Sequence, residues 1–106
     1  MNITLIGYGK MGHEIASLVQ NQQNQNMTIV SIIDPHHPQA THKNIDAEST
    51  KNTDICIDFS SPEAVIDNVS ACADLKRNIV IGTTGWHAKL NRTKEIVEKI
   101  VQIIQA

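Results

Sequence analysis

Gly7, Gly9 and Gly12 stand at the spacing G-x-G-x-x-G, directly after the apolar run Ile3-Thr4-Leu5-Ile6. Glycines so spaced serve one chemistry when a strand delivers the chain to them and a helix begins inside them. The free N–H groups and dipole of the helix N-terminus then hold a pyrophosphate. Gly7 permits the turn, Gly9 lets the backbone approach the phosphates, and Gly12 lets the helix pack closely on the strand. The same three glycines also occur in tight turns that bind nothing, so agreement must come from elsewhere in the chain.

Asp34 supplies the first agreement. It lies about 20 residues past the loop, at the end of a second apolar run, where a carboxylate accepts hydrogen bonds from adenosine ribose hydroxyls. The plain alternative is a helix or turn cap. An acid at this point repels a 2′-phosphate, so NADH is the first expectation. Lys10, or His36 and His37 when protonated, would offset that repulsion, and dual use with NADPH stays open. Thr83 and Thr84 carry backbone and hydroxyl groups suited to a carboxamide such as that of nicotinamide. Without a dinucleotide loop nearby they would be an ordinary polar turn. Trp86 either shields the ring or packs.

Other reactive side chains carry less. Pro35-His36-His37-Pro38, with His42 beyond, places adjacent histidines on a Pro-bounded loop, where they point in different directions. No Cys or acid completes a tetrahedral set, so no metal site is expected. His87 has no visible nucleophile or orienting acid beside it, and no catalytic residue is assigned.

The elements that must position these groups follow from apolar periodicity. Asn2–Ile6 reads as a buried strand, and Met11, Ile15, Leu18 and Val19 give a helix from about Lys10 to Gln20. A polar, low-complexity run at 20–26 ends it. Met27–Ile33 is a second strand, closed by Asp34 and Pro35. Residues 35–53 are poor in pattern and read as mostly loop, with a short helical turn near Ile45–Glu48. Ile55–Phe59 is a third strand. Ser60-Ser61-Pro62-Glu63 then offers capping hydroxyls, Pro at the first helical position and an acid in the first turn. The helix it starts has Ala64, Val65, Val69, Cys72 and Ala73 on its apolar face. Asn78–Ile81 is a fourth strand, Gly82–Gly85 a loop, and a last helix runs from about Ala88 to Ile104.

Strands that alternate with helices, and are apolar with little polar alternation, predict a parallel sheet covered on both faces. The fold class is therefore α/β, a doubly wound, Rossmann-like sheet. The C-terminal ends of its strands share one crevice, where the Gly7 loop, Asp34, the Phe59–Ser61 turn and the Gly82–Gly85 loop converge.

Bulk composition narrows the partners. At 106 residues the chain is one domain or part of one. With three aromatic residues, its core must be built from Ile, Val, Leu and Ala. A net charge of −2 without a basic stripe argues against nucleic acid and an anionic membrane surface as partners. Nothing approaches the roughly 20 apolar residues of a membrane span, and the N-terminus lacks a leader pattern. Cys56 and Cys72 fall in a strand and a helix pattern and read as buried free thiols of a cytoplasmic protein.

Taken together, Ile6-Gly7-Tyr8-Gly9-Lys10-Met11-Gly12, Ile57-Asp58-Phe59-Ser60-Ser61-Pro62-Glu63-Ala64 and Ile81-Gly82-Thr83-Thr84-Gly85-Trp86 resemble dihydrodipicolinate reductase. This family, now called 4-hydroxy-tetrahydrodipicolinate reductase, belongs to the bacterial diaminopimelate and lysine pathway. The first motif is generic; the second and third, in this order, are specific. The resemblance covers the whole chain but only the family's N-terminal, cofactor-binding portion. It implies that Gly7, Tyr8, Gly9, Lys10, Met11 and Gly12 bind the pyrophosphate and Asp34 the adenosine ribose. Gly82, Thr83 and Thr84 then meet the nicotinamide half, and Phe59, Ser60 and Ser61 line the same pocket. Many members have one more residue in the glycine loop and Arg where Lys10 stands. Those favouring NADPH often carry a basic residue where this chain has Pro35, which tilts the expectation toward NADH.

The resemblance also implies a substrate domain beginning shortly after residue 106. That domain would take the small dicarboxylate substrate and build a homotetramer. The sheet is accordingly expected to be incomplete on its C-terminal side, and the chain alone to bind a dinucleotide weakly without turning over substrate. Two alternatives remain: a fragment of another nicotinamide oxidoreductase with the same first half, or a non-catalytic dinucleotide-binding remnant.

Overall fold

The apolar runs pair into one sheet, in which every neighbouring pair of strands is parallel. The computed structural model describes residues 1–21, 26–83 and 103–105. In chain order the elements are β1 (Asn2–Ile6), α1 (Lys10–Asn21), β2 (Thr28–Ile33), β3 (Ile55–Asp58), α2 (Val65–Asp74), β4 (Ile79–Ile81) and β5 (Ile103–Gln105). The strand order is β2-β1-β3-β4-β5. The chain runs one way from β1 to β2 and the other way from β3 onward. The reversal opens a switch point between β1 and β3, where doubly wound sheets take their ligands.

Alternate residues of the strands feed two separate cores, as a sheet covered on both faces requires. Ile3, Leu5, Ile55 and Ile57 pack with Ala16 and Val19 of α1. Ile6, Cys56, Ile79 and Ile81 pack with Val65, Val69, Cys72 and Ala73 of α2. The thiols of Cys56 and Cys72 meet in this second core, both buried and both free.

The α1 face agrees with the expected one at Ile15 and Val19, which pack on the sheet, and differs at Met11 and Leu18. Its buried residues are Gly12, Ala16 and Val19, while Met11 is 46% and Leu18 68% exposed. Small residues decide the phase. A Cβ at position 12 would come within 2.5 Å of the Gly7 carbonyl oxygen, so the helix seats its small residues against the strand and turns Leu18 away.

The start of α2 also differs. Residues 62–64 form a turn, Ala64 is the N-cap, and no side chain caps the helix. The Ser60 hydroxyl that was expected to cap is committed instead to Asp58, at 2.6 Å.

The segment 35–53 gains its order from side chains rather than from apolar pattern. Thr41 lies along the free edge of β2; its hydroxyl accepts from the Ile32 N–H at 2.8 Å and its own N–H donates to the Ile32 carbonyl at 2.9 Å. Asp46 and Ser49 cap each other reciprocally: the Ser49 N–H donates to the Asp46 carboxylate and the Asp46 N–H to the Ser49 hydroxyl. The Thr50 N–H then reaches the Asp46 carbonyl, making one helical turn slightly later than expected.

The predicted final helix needs correction at its end. Ile103–Gln105 is a strand that continues the sheet beyond β4, in the register Ile79↔Ile103, Val80↔Ile104 and Ile81↔Gln105. A short β-branched pair fits a pleated strand as well as a helix, and apolar spacing alone does not separate the two. The sheet thus has a fifth strand beyond the four expected from the apolar runs. The rest of that helix, the run at 22–25, and Thr84, Gly85, Trp86 and His87 lie outside the described residues.

Candidate functional site

Register places the candidate residues in a row. Ile33, Ile6, Asp58 and Ile81 are successive partners across β2, β1, β3 and β4. The residues that follow them are Asp34, Gly7, Phe59 and Gly82. The ladder carries one bond further into each turn: Gly7 N–H to the Ile33 carbonyl at 2.8 Å, Phe59 N–H to Ile6 at 2.9 Å, and Gly82 N–H to Asp58 at 2.9 Å. Four segments distant in sequence therefore leave the sheet side by side, at its C-terminal edge.

Gly7 turns the chain with φ +90, and a Cβ there would lie 2.8 Å from the Phe59 carbonyl oxygen. Only glycine combines that backbone with so close a neighbour. Gly9 is different in kind: nothing lies within 4 Å of where its Cβ would be. It faces open space at the mouth of α1, whose first-turn N–H groups have no partner within the helix and whose first turn carries no acid.

Asp34 closes the loop from the β2 side. One carboxylate oxygen accepts from the Tyr8 N–H at 2.8 Å; the other accepts from the His36 and His37 N–H groups at 2.8 and 3.2 Å. Partial burial works against the charged form. The three N–H donors and the nearby His37 outweigh it and hold the carboxyl below its ordinary value. The turn-cap alternative and the ribose-binding role are thus compatible here. Three acceptor positions serve the backbone, and a carboxylate has room for one more donor.

On the other side of the glycine loop, the buried acid Asp58 organises the rim. Its carboxylate accepts from the Ser60 N–H at 2.7 Å, the Ser60 hydroxyl at 2.6 Å, the Asn68 amide at 3.0 Å and the Thr83 hydroxyl at 3.1 Å. Phe59 lies directly against Gly82, where a Cβ would overlap the ring 2.1 Å from Cε1.

Two hollows flank this row. The larger, about 660 Å³, is lined by Gly7, Tyr8 and Gly9, by Asp34 to His36, by Lys43 to Ile45, and by Phe59 to Ser61. The smaller, about 260 Å³, is lined by Met11, Phe59, Ser60, Pro62, Gly82 and Thr83. Beside the first, Tyr8 stacks on His13 with ring centroids 3.8 Å apart, and His37 meets the Tyr8 ring edge-on at 5.0 Å.

Of the residues singled out from sequence, Gly7, Tyr8, Gly9, Asp34, Phe59, Ser60, Ser61, Gly82, Thr83 and Met11 line one hollow or the other. Gly12 is buried beneath the loop, and Lys10 stands exposed at the start of α1. Thr84 lies outside the described residues. Thr83 is nearly buried, and its hydroxyl donates inward, so its side chain offers a ligand lone pairs rather than a hydrogen. Asp58, Asn68 and Lys43 join the site without a role expected from the sequence. For Asp58 a signal existed, a charge inside the apolar run Ile55-Cys56-Ile57-Asp58-Phe59.

The residues fit a dinucleotide. A helix N-terminus bare of acid sits behind a glycine whose missing side chain leaves open space, with a carboxylate on one side and a hollow on each.

Comparisons with known proteins agree. The family model described as "Dihydrodipicolinate reductase, N-terminus" matches residues 1–106. A protein from Christiangramia forsetii named 4-hydroxy-tetrahydrodipicolinate reductase is 35% identical over 99 residues, which cover 93% of this chain and 38% of that protein. One of the same name from Staphylococcus saprophyticus is 33% identical over 101 residues, covering 94% and 38%. Among solved structures, dipicolinate-bound dihydrodipicolinate reductase from Paenisporosarcina sp. TG-14 superposes with a TM-score of 0.75 at 25% identity, covering all of this chain and 46% of that one. A probable dehydrogenase from Thermotoga maritima, at 19% identity and a TM-score of 0.82 over all of this chain and 36% of that one, shares the fold. The chain thus spans less than half the length of the relatives it matches.

Proposed function

The chain belongs to the dihydrodipicolinate reductase family, as its N-terminal part, and from that premise we propose that it is the cofactor-binding portion of a 4-hydroxy-tetrahydrodipicolinate reductase of the diaminopimelate and lysine pathway. The row Asp34–Gly7–Phe59–Gly82 at the edge of the sheet carries this reading. It sets a ribose acceptor, a phosphate cradle and a second hollow along one line across the switch point.

The bound cofactor supplies a hydride, and the protein's share is to place and shield it. The first turn of α1 and the backbone at Gly9 hold the pyrophosphate. Asp34 takes a ribose hydroxyl on the β2 side. The hollow between Phe59 and Thr83 holds the nicotinamide half, with Phe59 and Met11 keeping water from one side. No residue of this chain is assigned proton donation or recognition of the small dicarboxylate substrate.

NADH is the favoured partner. The Asp34 carboxyl is held below its ordinary value, so it is charged at neutral pH and repels a 2′-phosphate. Lys43 and His36 line the same hollow and offset that repulsion in part. Titration calorimetry of the chain with NADH and NADPH tests both points. Binding of both, tighter for NADH, is expected; no heat with either overturns the dinucleotide reading, and tighter NADPH overturns the preference.

A further inference from the structure

Asp58 has no exposed surface, yet among the described residues no lysine, arginine or histidine pairs with it. A buried carboxylate without a cation is a poor way to fill space, because removal from water penalises its charge and only hydrogen bonds compensate. Its donors come from three elements: Ser60 in the turn after β3, Asn68 in α2, and Thr83 in the loop after β4. The Ser60 hydroxyl, having given its hydrogen to Asp58, accepts from the Asn68 amide at 3.1 Å. Asp58 therefore ties together two loops that the sheet ladder joins only at their first residue, supported by one longer direct contact, from the Thr83 hydroxyl to the Ser60 carbonyl at 3.4 Å.

Those loops, through Ser60 and Thr83, are walls of the smaller hollow. The hollow lies on the β3–β4 side of the glycine loop, opposite Asp34. A dinucleotide with its adenosine ribose at Asp34 has its other half there. We propose that Asp58 is a positioning residue for the nicotinamide half of the bound dinucleotide, joining the turn after β3 to the loop after β4. The proposal rests on the reading of the chain as a dinucleotide-binding domain. Asp58 touches no ligand itself. It takes the Ser60 hydroxyl hydrogen and, together with its own carbonyl at 3.2 Å and that of Ser60 at 3.4 Å, draws the Thr83 hydroxyl hydrogen inward, so that Ser60 and Thr83 present oxygen lone pairs and backbone groups to the hollow, as a carboxamide NH2 requires.

The test compares NADH with ADP-ribose, which keeps the adenosine half and both phosphates but lacks the nicotinamide. In Asp58→Asn an amide NH2 faces groups that are themselves donors. NADH affinity should fall at least about tenfold, and ADP-ribose affinity by less than about threefold. Thr83→Val removes one donor at little change in volume and should shift the same ratio in the same direction, by less. If Asp58→Asn fails to fold, the ratio in Thr83→Val decides. Equal losses for both ligands, or no loss of NADH binding, overturn the proposal. So does a wild-type chain that binds ADP-ribose as tightly as NADH. A wild-type chain that binds neither removes the dinucleotide reading, and the proposal falls with it.

Discussion

The carboxylate of Asp34 accepts a 2.8 Å hydrogen bond from the backbone N–H of Tyr8. This bond ties the end of β2 to the glycine loop across a sequence separation of 26 residues. The residue expected to read a ribose therefore also sets the shape of the glycine loop beside it. The two roles use one charge, which makes that charge accessible to titration.

Replacing Asp34 with Asn should lower stability at neutral pH by about 1 kcal/mol, since solvent screens a partly exposed carboxylate. The gap between wild type and variant should depend on pH with a definite sign. The folded-state pKa lies below the ordinary 3.8, so the unfolded chain binds more protons in acid. The stabilisation is fully present above about pH 5 and is lost as pH falls through the folded value. Thermal melts of both proteins across that range should show the curves converging in acid. A gap that stays constant shows that the charge contributes nothing.

Gly9→Ala and Gly12→Ala should separate binding from folding. At position 9 the added methyl meets open space, so the melting temperature should hold while dinucleotide affinity falls at least about tenfold, because the methyl occupies the phosphate approach. At position 12 it would sit 2.5 Å from the Gly7 carbonyl oxygen. The helix or loop must shift, at a cost of about 1–3 kcal/mol. Melting curves and calorimetry on the two variants check this; Gly9→Ala binding as tightly as wild type contradicts the assignment of the cradle.

The sheet was legible in the sequence because a buried parallel strand leaves an apolar run with few polar interruptions, and β1 to β4 each have one. The strand ends marked the candidate site for the same reason: Asp34 and Gly7 are where such runs stop. What escaped depended on contacts rather than on pattern. The phase of α1 was set by Gly12 and Ala16, which apolar periodicity ranks below Met11 and Leu18. Order in 35–53 came from Thr41, Asp46 and Ser49 bonding to backbone, which leaves no periodic trace. Ile103 and Ile104 suited helix or strand alike until β4 offered an open edge. Asp58 was visible as a misplaced charge, but its partners Asn68 and Thr83 are ten and 25 residues away.

Gly82→Ala and Phe59→Ala should be strongly non-additive. The methyl at 82 overlaps the Phe59 ring, which must swing toward one of the two hollows it separates. Alone, Gly82→Ala should weaken NADH binding by about tenfold with the fold retained, and Phe59→Ala should destabilise by up to about 3 kcal/mol. In the double variant the ring is gone, so Gly82→Ala should add almost nothing. A double-mutant cycle on NADH affinity measures the coupling, expected at about 1 kcal/mol or more. Simple additivity would place Phe59 away from the ligand.

The two cysteines offer a probe of the α2 face that is independent of any ligand. Cys56 and Cys72 are both fully buried, one on β3 and one on α2. The Cys72 thiol is pushed up by its contact with Cys56 and by burial. A thiol held protonated is a poor nucleophile, and reagent cannot reach either sulfur without opening the helix. Neither should react with a thiol reagent in the native state at neutral pH, and both should react together once α2 detaches. The labelling rate should fall when NADH is added, because a ligand bound only to the folded form lowers the open population in proportion to its saturation. Unequal, rapid labelling of one cysteine would show that β3 and α2 are not packed as described.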